Sequence, residues 1–438
     1  MTVIGLDDTD SRERGMCTTY LAARVADAIC DGGGHVERVL LARLNPAVKH
    51  KTRGNAALAI HTDVPAGDAL NLAVDHIERL AIDADSNTSP GVVVADDAPA
   101  TIPESVAEFA GDAIRDRCDL DTAIEIADAA GYVHRGWAGA GCDVTGRGRI
   151  GALAAVGAWD AVEEWTYEQI AYREFDRCGT PRTVDHDSVF AAAKRGYPTV
   201  WDTVDRTAGE AVCVPNAPGP ILYGIRGDDA AAVASVAGNI ESEPVARTRC
   251  FQTNQGTDSH LQDGTLGSLR EGGAYRVDGV VTEPPETRRG GHVFVTLGGV
   301  DHRNETTTAS NPTTDCVAFE PTKRFRDRVR ALRAGDRLTV CGEYGDGTIK
   351  LEKFAVRELT RTEQVTPTCP DCGCRMSSAG ADQGYRCRDC ATSAPGLVSR
   401  SVARDLDRGW YEVPPQARRH IAKPLIRGGF DAPVHPER

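Results

Sequence analysis

Four cysteines near the C-terminus set the tightest limit on how this sequence can fold. Cys369-Pro-Asp-Cys372 and Cys387-Arg-Asp-Cys390 are two C-x2-C pairs separated by 14 residues. Each pair makes a tight knuckle, and two knuckles offer four thiolates to one tetrahedral Zn2+. Four anionic sulfur ligands leave no position for water, so the ion such a site holds is structural. The spacing therefore predicts a zinc ribbon with Cys369, Cys372, Cys387 and Cys390 as ligands. Cys374 fits neither pair. The remaining cysteines are scattered, which suits buried free thiols better than a disulfide framework.

The segment before the ribbon has the rhythm of a small barrel. Strand-like runs fall at 275–281, 292–297, 316–319, 337–342 and 349–356, with a basic helix at 322–332 between the third and fourth. Five short strands with a helix after the third is the order of an OB-fold, which commonly binds oligonucleotides. Glycine, aspartate and serine at 256–273 predict a linker ahead of it.

Charge distribution bears on partners. The 438-residue chain has a net charge of −14, which by itself counts against nucleic acid. Yet 16 acids against three bases are concentrated in residues 63–130. Three stretches are basic: 43–53, 323–333 and the tail after Leu397. Beside an OB-fold and a zinc ribbon, these read as a nucleic-acid footprint, with Arg324, Arg326 and Arg328 as candidate phosphate contacts. Seven lysines against 43 arginines, with abundant Asp and Ala, point to a salt-adapted organism. No run approaches the ~20 apolar residues of a membrane span. The N-terminus lacks the basic start and apolar run of a secretory signal, so a soluble, cytoplasmic protein is expected. Length predicts roughly three or four domains.

The N-terminal half carries the chemistry. An apolar strand at 3–6 runs directly into Asp7-Asp8-Thr9-Asp10, and a helix is predicted at 18–29 with Thr18 as a plausible N-cap. Strands at 36–44, 56–60 and 91–94 alternate with helices near 68–81 and 104–117, an α/β pattern. A long helix is expected at 152–172, then a second α+β unit to about residue 258. Carboxylates clustered at the end of an apolar strand need a cation, and Mg2+ prefers one or two carboxylates plus phosphate oxygens. Gly15 to Thr19 puts N–H groups and hydroxyls at a helix start, a natural phosphate site. Thr18 could there be a cap, a phosphate ligand or a phosphoryl acceptor. Lys49, Lys51, Arg53, Gly54 and Asn55 supply cations, a flexible glycine and an amide for a triphosphate or an RNA backbone. Gly146, Gly148 and Gly151 match G-x-G-x-x-G. They lack a clear preceding strand, so a Rossmann reading fails and a phosphate-cradling turn remains.

Taken together these motifs resemble one family. Gly5-Leu6-Asp7-Asp8-Thr9-Asp10-Ser11 with Gly15-Met16-Cys17-Thr18-Thr19-Tyr20-Leu21 is similar to the opening of the archaeal tRNA-isoleucine 2-agmatinylcytidine synthetases. The match continues in Arg43-Leu44-Asn45-Pro46, Lys51-Thr52-Arg53-Gly54-Asn55, Gly146-Arg147-Gly148 and Gly179-Thr180-Pro181-Arg182. It extends through Tyr223 to Gly227, Thr253 to Asp258, the zinc ribbon and His420 to Leu425. The resemblance spans essentially the whole chain.

It implies a multidomain α+β protein: an atypical α/β kinase domain at 1–140, a ferredoxin-like domain at 141–258, an OB-fold β-barrel at 271–360, a zinc ribbon at 361–396 and a basic segment at 397–438. It implies an ATP-dependent C–N bond-forming ligase. ATP phosphorylates the C2 oxygen of the wobble cytidine in CAU-anticodon isoleucine tRNA, agmatine displaces phosphate to give agmatidine, and ATP ends as AMP. Asp7, Asp8 and Asp10 would hold Mg2+-ATP, and Thr18 would be autophosphorylated. Lys51, Arg53 and Asn55 would touch phosphates. Asp202, Asp205 and Asp258 are candidates for the agmatine pocket. No membrane or obligate protein partner is implied. The competing reading is a non-catalytic single-strand binder using the OB-fold and ribbon, which has no need of clustered aspartates beside a Thr-Thr helix start. A lysine-adding cytidine synthetase would carry an S-G-G-x-D-S loop, and the sequence has none.

Overall fold

The first strand, β1 (Thr2–Asp7), is buried along nearly its whole length. Val3 points into one core and Ile4 and Leu6 into another. Such a strand has to lie inside a sheet covered on both faces. The structure, a computed structural model, describes residues 1–11, 15–49, 54–81, 85–139, 145–299, 312–419 and 421–437. After β1 come α1 (Thr18–Asp31), β2 (Val36–Arg43), β3 (Ala56–Thr62), α2 (Ala66–Leu80) and β4 (Gly91–Ala95). Then follow α3 (Glu104–Arg115), α4 (Leu120–Ala129), β5 (Val133–Gly136) and α5 (Arg149–Ala161). The next elements are β6 (Thr166–Tyr172), α6 (His186–Gly196), β7 (Val200–Trp201), β8 (Ile221–Gly227), α7 (Ala230–Ala237) and β9 (Arg247–Thr253).

These nine strands form one sheet in the order β5-β4-β1-β3-β2-β9-β6-β8-β7. β1 lies antiparallel between β3 and β4. Helices α1 and α2 cover one face of this half, and α3, α4 and α5 cover the other. The two α/β units are joined where β2 meets β9 in parallel, Leu40 opposite Gln252 and Leu41 opposite Thr253. The long helix expected at 152–172 is two elements. Helix α5 stops at Ala161, and 166–172 is strand β6, paired along its length with both β8 and β9. Two neighbouring strands that each offer a full ladder outweigh local helix preference there. Asp119, Asp185 and Asp229 cap α4, α6 and α7 by accepting a hydrogen bond from the N–H three residues on.

The expected linker contributes an edge strand, β10 (Leu261–Gly264), and the barrel after it follows the expected order. It is built from β11 (Ala274–Val281), β13 (Val293–Gly298), β14 (Thr313–Ala318), β15 (Arg337–Gly345) and β16 (Thr348–Glu358), with β10 parallel to β11 and a two-residue β12 (Glu286–Thr287) beside β13. It closes as β11-β13-β14-β16-β15-β11, with β14 and β16 parallel. That is OB-fold topology. The short helix α8 (Phe325–Arg330) lies between its third and fourth strands, and Phe325 and Val329 are buried in the barrel core with Phe354.

The tail is a strap rather than a free basic arm. Residues Gly409–Glu412 add a strand beside β16, and most of the tail's described cations are paired with acids. Arg404 is buried against Asp336 at 2.6 Å. Arg419 joins Glu352 (2.6 Å) and Glu343 (2.8 Å), and Arg427 joins Glu164 (2.8 Å) and Asp228 (2.6 Å). Arg427 thus ties the tail to the α/β half. Among the described residues no helix is long and apolar enough to cross a membrane.

Candidate active site

Strand β1 delivers Asp7 to the end of the sheet, and the following turn places Asp8 and Asp10. Asp8 adopts a left-handed backbone conformation, φ 58°, uncommon for a non-glycine residue. Its carboxylate accepts a hydrogen bond from Arg147 Nη2 at 2.6 Å. Burial, reinforced by the neighbouring Asp8, raises the Asp7 carboxyl well above the ordinary carboxylate range. Burial also lifts Asp8 to about 7, against the pull of Arg147. Two adjacent buried carboxylates served by one arginine are short of positive charge. Their donors are all oxygen, which suits a hard divalent ion such as Mg2+. Among the described residues Asp7, Asp8 and Asp10 do not converge on one point. An ion held there would take its remaining ligands from phosphate or water.

Asp10 faces the start of α1. One of its carboxylate oxygens accepts from the Thr18 N–H and from the Thr18 hydroxyl, the latter at 3.1 Å. Asp10 therefore caps the helix from outside. Thr18 is its first residue and not the cap, while Cys17 at the cap position contributes no side-chain capping bond. The Thr18 hydroxyl also accepts from the Thr9 hydroxyl at 3.1 Å. It is held in one orientation, donating to a carboxylate.

Two cavities meet at this point. The first, about 310 Å3, is lined by Asp7, Asp8, Asp10, Lys49 and Arg147 together with the apolar Leu44, Val48, Ala113 and Ile150. The second, about 190 Å3, is lined by Thr18, Thr19, Arg43, Glu168, Arg226 and the 212–221 loop. Asp10, Gly54 and Ala56 line both. Asn55 also lines the first cavity, and its amide donates to the Asn45 carbonyl at 2.9 Å. Lys51 and Arg53 lie outside the described residues.

The glycine turn works differently from a phosphate cradle. Gly146 has φ 69°, and a Cβ on it would sit 2.6 Å from Gly136 Cα. On Gly148 a Cβ would reach within 2.6 Å of Gly91 N and 2.7 Å of the Asp7 carbonyl, and on Gly151 it would overlap the Asp7 carboxylate. Gly146 and Gly148 are contact glycines that let the turn before α5 approach β5, and β1 and β4, respectively. Gly151 alone of the three borders the cavity.

The three aspartates expected to bind agmatine are all in ion pairs elsewhere. Asp202 pairs with Arg418 in the tail. Asp205 is fully buried against Arg324 at 3.2 Å. Asp258 holds the buried Lys353 at 2.7 Å. Each is an acid clasping the α/β half to the barrel or the tail, and none borders the two cavities. The same clasp takes up Arg324, which also pairs with Glu437. Arg326 donates to the Gly291 carbonyl at 2.6 Å and pairs with Glu320. Arg328 is exposed over the Tyr411 ring. Of the three arginines expected on RNA, Arg328 is the one whose side chain faces outward.

Sequence reasoning did not single out Arg147, although it stands between the glycines of a quoted motif. It also missed Glu168, which is buried on β6 between Arg43 (3.2 Å) and Arg226 (3.2 Å). At the other end of the molecule, Cys369, Cys372, Cys387 and Cys390 bring their sulfurs within 4.8 Å of one another. Four thiolates at that spacing fit a tetrahedral Zn2+.

A closed oligonucleotide-type barrel and a zinc ribbon, joined to a carboxylate-ringed cavity with a phosphate-type helix start, define a nucleotide-dependent enzyme acting on nucleic acid. Comparison with known proteins narrows the class. Residues 3–69 match the family described as the TiaS TCKD domain, 146–260 the TiaS FLD domain and 366–406 the TiaS C-terminal zinc ribbon domain. The isoleucine-2 tRNA 2-agmatinylcytidine synthetase TiaS of Haloquadratum walsbyi is 59% identical over 100% of both chains. A crystal structure of TiaS in complex with isoleucine-2 tRNA and ATP is 39% identical with TM-score 0.86, over 100% of this chain and 99% of that one. A complex of TiaS with isoleucine-2 tRNA, AMPCPP and agmatine is 36% identical with TM-score 0.83, with the same coverage. The chain belongs to the TiaS family of isoleucine-2 tRNA 2-agmatinylcytidine synthetases.

Proposed function

We propose that this chain is an ATP-dependent ligase that converts the wobble cytidine of CAU-anticodon isoleucine tRNA to 2-agmatinylcytidine. The observation that carries the reading is the position of Asp10, held to the Thr18 hydroxyl in the wall between two cavities. ATP enters the first cavity with its base against the apolar lining residues and its phosphates at Asp7 and Asp8. A Mg2+ held by those two carboxylates would neutralise the transferring phosphoryl group. Agmatine enters the second cavity beside Asp10, whose carboxylate borders both cavities.

One phosphoryl group of ATP goes to the C2 oxygen of the cytidine. The agmatine amine attacks C2, the C2–O bond breaks, and the oxygen leaves as part of inorganic phosphate. A second phosphoryl passes from ADP to Thr18, whose proton goes to Asp10, and water later releases it as phosphate, so ATP ends as AMP. The barrel and ribbon grip the anticodon loop with the wobble base drawn out of its stack. A pure single-strand binder would need neither cavity, nor buried carboxylates beside a helix start.

Mass spectrometry of nucleosides from CAU-anticodon tRNA incubated with protein, ATP and agmatine is expected to reveal 2-agmatinylcytidine only when all three are present. Unchanged cytidine, with tRNA binding verified, would overturn the reading. Cys387→Ser is expected to lose stoichiometric zinc by metal analysis and to weaken tRNA binding, because an ion held by four cysteines keeps its own small module folded. ATP hydrolysis without tRNA should persist in that variant. Retained zinc would refute the ligand set.

A further inference from the structure

Arg147 is placed with unusual firmness for a long side chain at a cavity. Its two neighbours are the contact glycines, Gly146 against Gly136 and Gly148 against Gly91. Its own N–H donates to the Ser89 hydroxyl at 3.0 Å. With the backbone pinned on three sides, only the side chain is free to move. Its Nη2 donates both to Asp8 at 2.6 Å and to the Asn87 carbonyl at 2.8 Å. The pair is mostly shielded from water, the Asp8 side chain being 10% exposed and that of Arg147 19%. Both side chains border the first cavity beside Asp7 and Lys49.

This arrangement conflicts with a loaded site. While Arg147 occupies Asp8, the bonded carboxylate oxygen is blocked to a divalent ion and Nη2 is unavailable to phosphate. A single rotation of one side chain relieves both conflicts. We infer that Arg147 is a stand-in cation: it neutralises Asp8 in the nucleotide-free protein and moves to the phosphate oxygens when a metal–nucleotide complex enters. The inference rests on the Mg2+-ATP reading of the first cavity. A guanidinium suits both partners, since it forms charge-assisted bonds to carboxylate and phosphate alike. The consequence is coupling. A divalent ion alone must displace Arg147 from Asp8 and leave the guanidinium without a phosphate to pair with. The ion and nucleotide arriving together satisfy every group, so each binds better with the other.

The test uses the full chain carrying Arg147→Met, with Arg147→Lys as a variant that keeps the charge. Mn2+ binding to nucleotide-free protein, followed by electron paramagnetic resonance, is expected to tighten about tenfold in Arg147→Met, as a competing cation has been removed. AMPCPP affinity in the presence of Mg2+ is expected to weaken about tenfold or more, as a charge-assisted hydrogen bond is lost. Arg147→Lys should fall between wild type and Arg147→Met in both measurements. Opposite signs for ion and nucleotide are the signature, since a merely damaged site would weaken both. Mn2+ affinity unchanged or weaker, or AMPCPP affinity unchanged, in a variant with intact zinc content would overturn the inference. If Arg147→Met does not fold, Arg147→Lys with wild-type affinity for both probes would do the same. Failure of the underlying reading looks different: neither wild type nor Arg147→Met, with or without AMPCPP, would then bind Mn2+ that Asp8→Asn removes.

Discussion

Asp8→Asn should cut ATP turnover by about a thousandfold or more, the scale of losing a principal electrostatic group at a reacting phosphoryl. Its tRNA affinity should stay within about twofold of wild type, because the barrel and ribbon are remote and share no partners with Asp8. The substitution preserves shape and an oxygen that Arg147 can bond, so the defect would report charge and not collapse. It also carries a stability signature of opposite sign. Folding lifts the Asp8 carboxyl to about 7, mainly through burial. The folded, metal-free protein therefore holds a proton that the unfolded chain releases in the ordinary carboxylate range. Across that window stability falls as pH rises. Asparagine removes the titration, so the slope of stability against pH should flatten while turnover is lost. Near-wild-type turnover in a folded variant would remove Asp8 from the phosphate site.

Legibility followed the range of the interactions involved. The turn after β1 could be read because an apolar strand ending in Asp7-Asp8-Thr9-Asp10 is a local pattern with one physical demand, a cation. The barrel could be read because the helix after the third strand is fixed by chain order, and the ribbon because its cysteine spacing is set by ligand geometry. Strand β6 was misread because its identity comes from β8 and β9, strands that lie outside any local window. With it went Glu168, which only a strand register could place between Arg43 and Arg226. In the glycine turn the sequence directs attention to Gly146 and Gly148, yet packing uses the glycines and the cavity receives Arg147. The basic stretches misled for a related reason. Sequence counts charges but not partners: Lys323, Arg326 and Arg330 pair with acids close by, and Arg324 and most of the tail's described cations with acids far along the chain. Arg418 and Asp202 meet across 216 positions, a pairing with no local trace.

Asp258→Ala is expected to destabilise the protein by about 3–5 kcal/mol, the cost of leaving a buried charge without its partner. Lys353 is that charge. Its side chain is 1% exposed, and Nζ donates to both Asp258 oxygens, at 2.8 and 2.7 Å, and to the Lys423 carbonyl at 3.2 Å. Around it lie the rings of Trp410 and Phe430, at 5.7 and 4.9 Å, which favour a cation but cannot replace a carboxylate. Asp258 also accepts from the Lys423 N–H, so one residue joins the α/β half, the barrel strand β16 and the tail. Its left-handed backbone, φ 64°, adds strain for alanine, and Asp258→Asn separates the two effects because asparagine tolerates that conformation. Denaturant midpoints for the single variants and for Asp258→Ala/Lys353→Met should reveal strong coupling, the double variant regaining much of the loss because no buried charge remains. Agmatine KM in the folded fraction should be unchanged, since Asp258 borders neither cavity. A variant of wild-type stability with a raised agmatine KM would return Asp258 to the amine site; the converse would establish it as the clasp between the α/β half and the barrel.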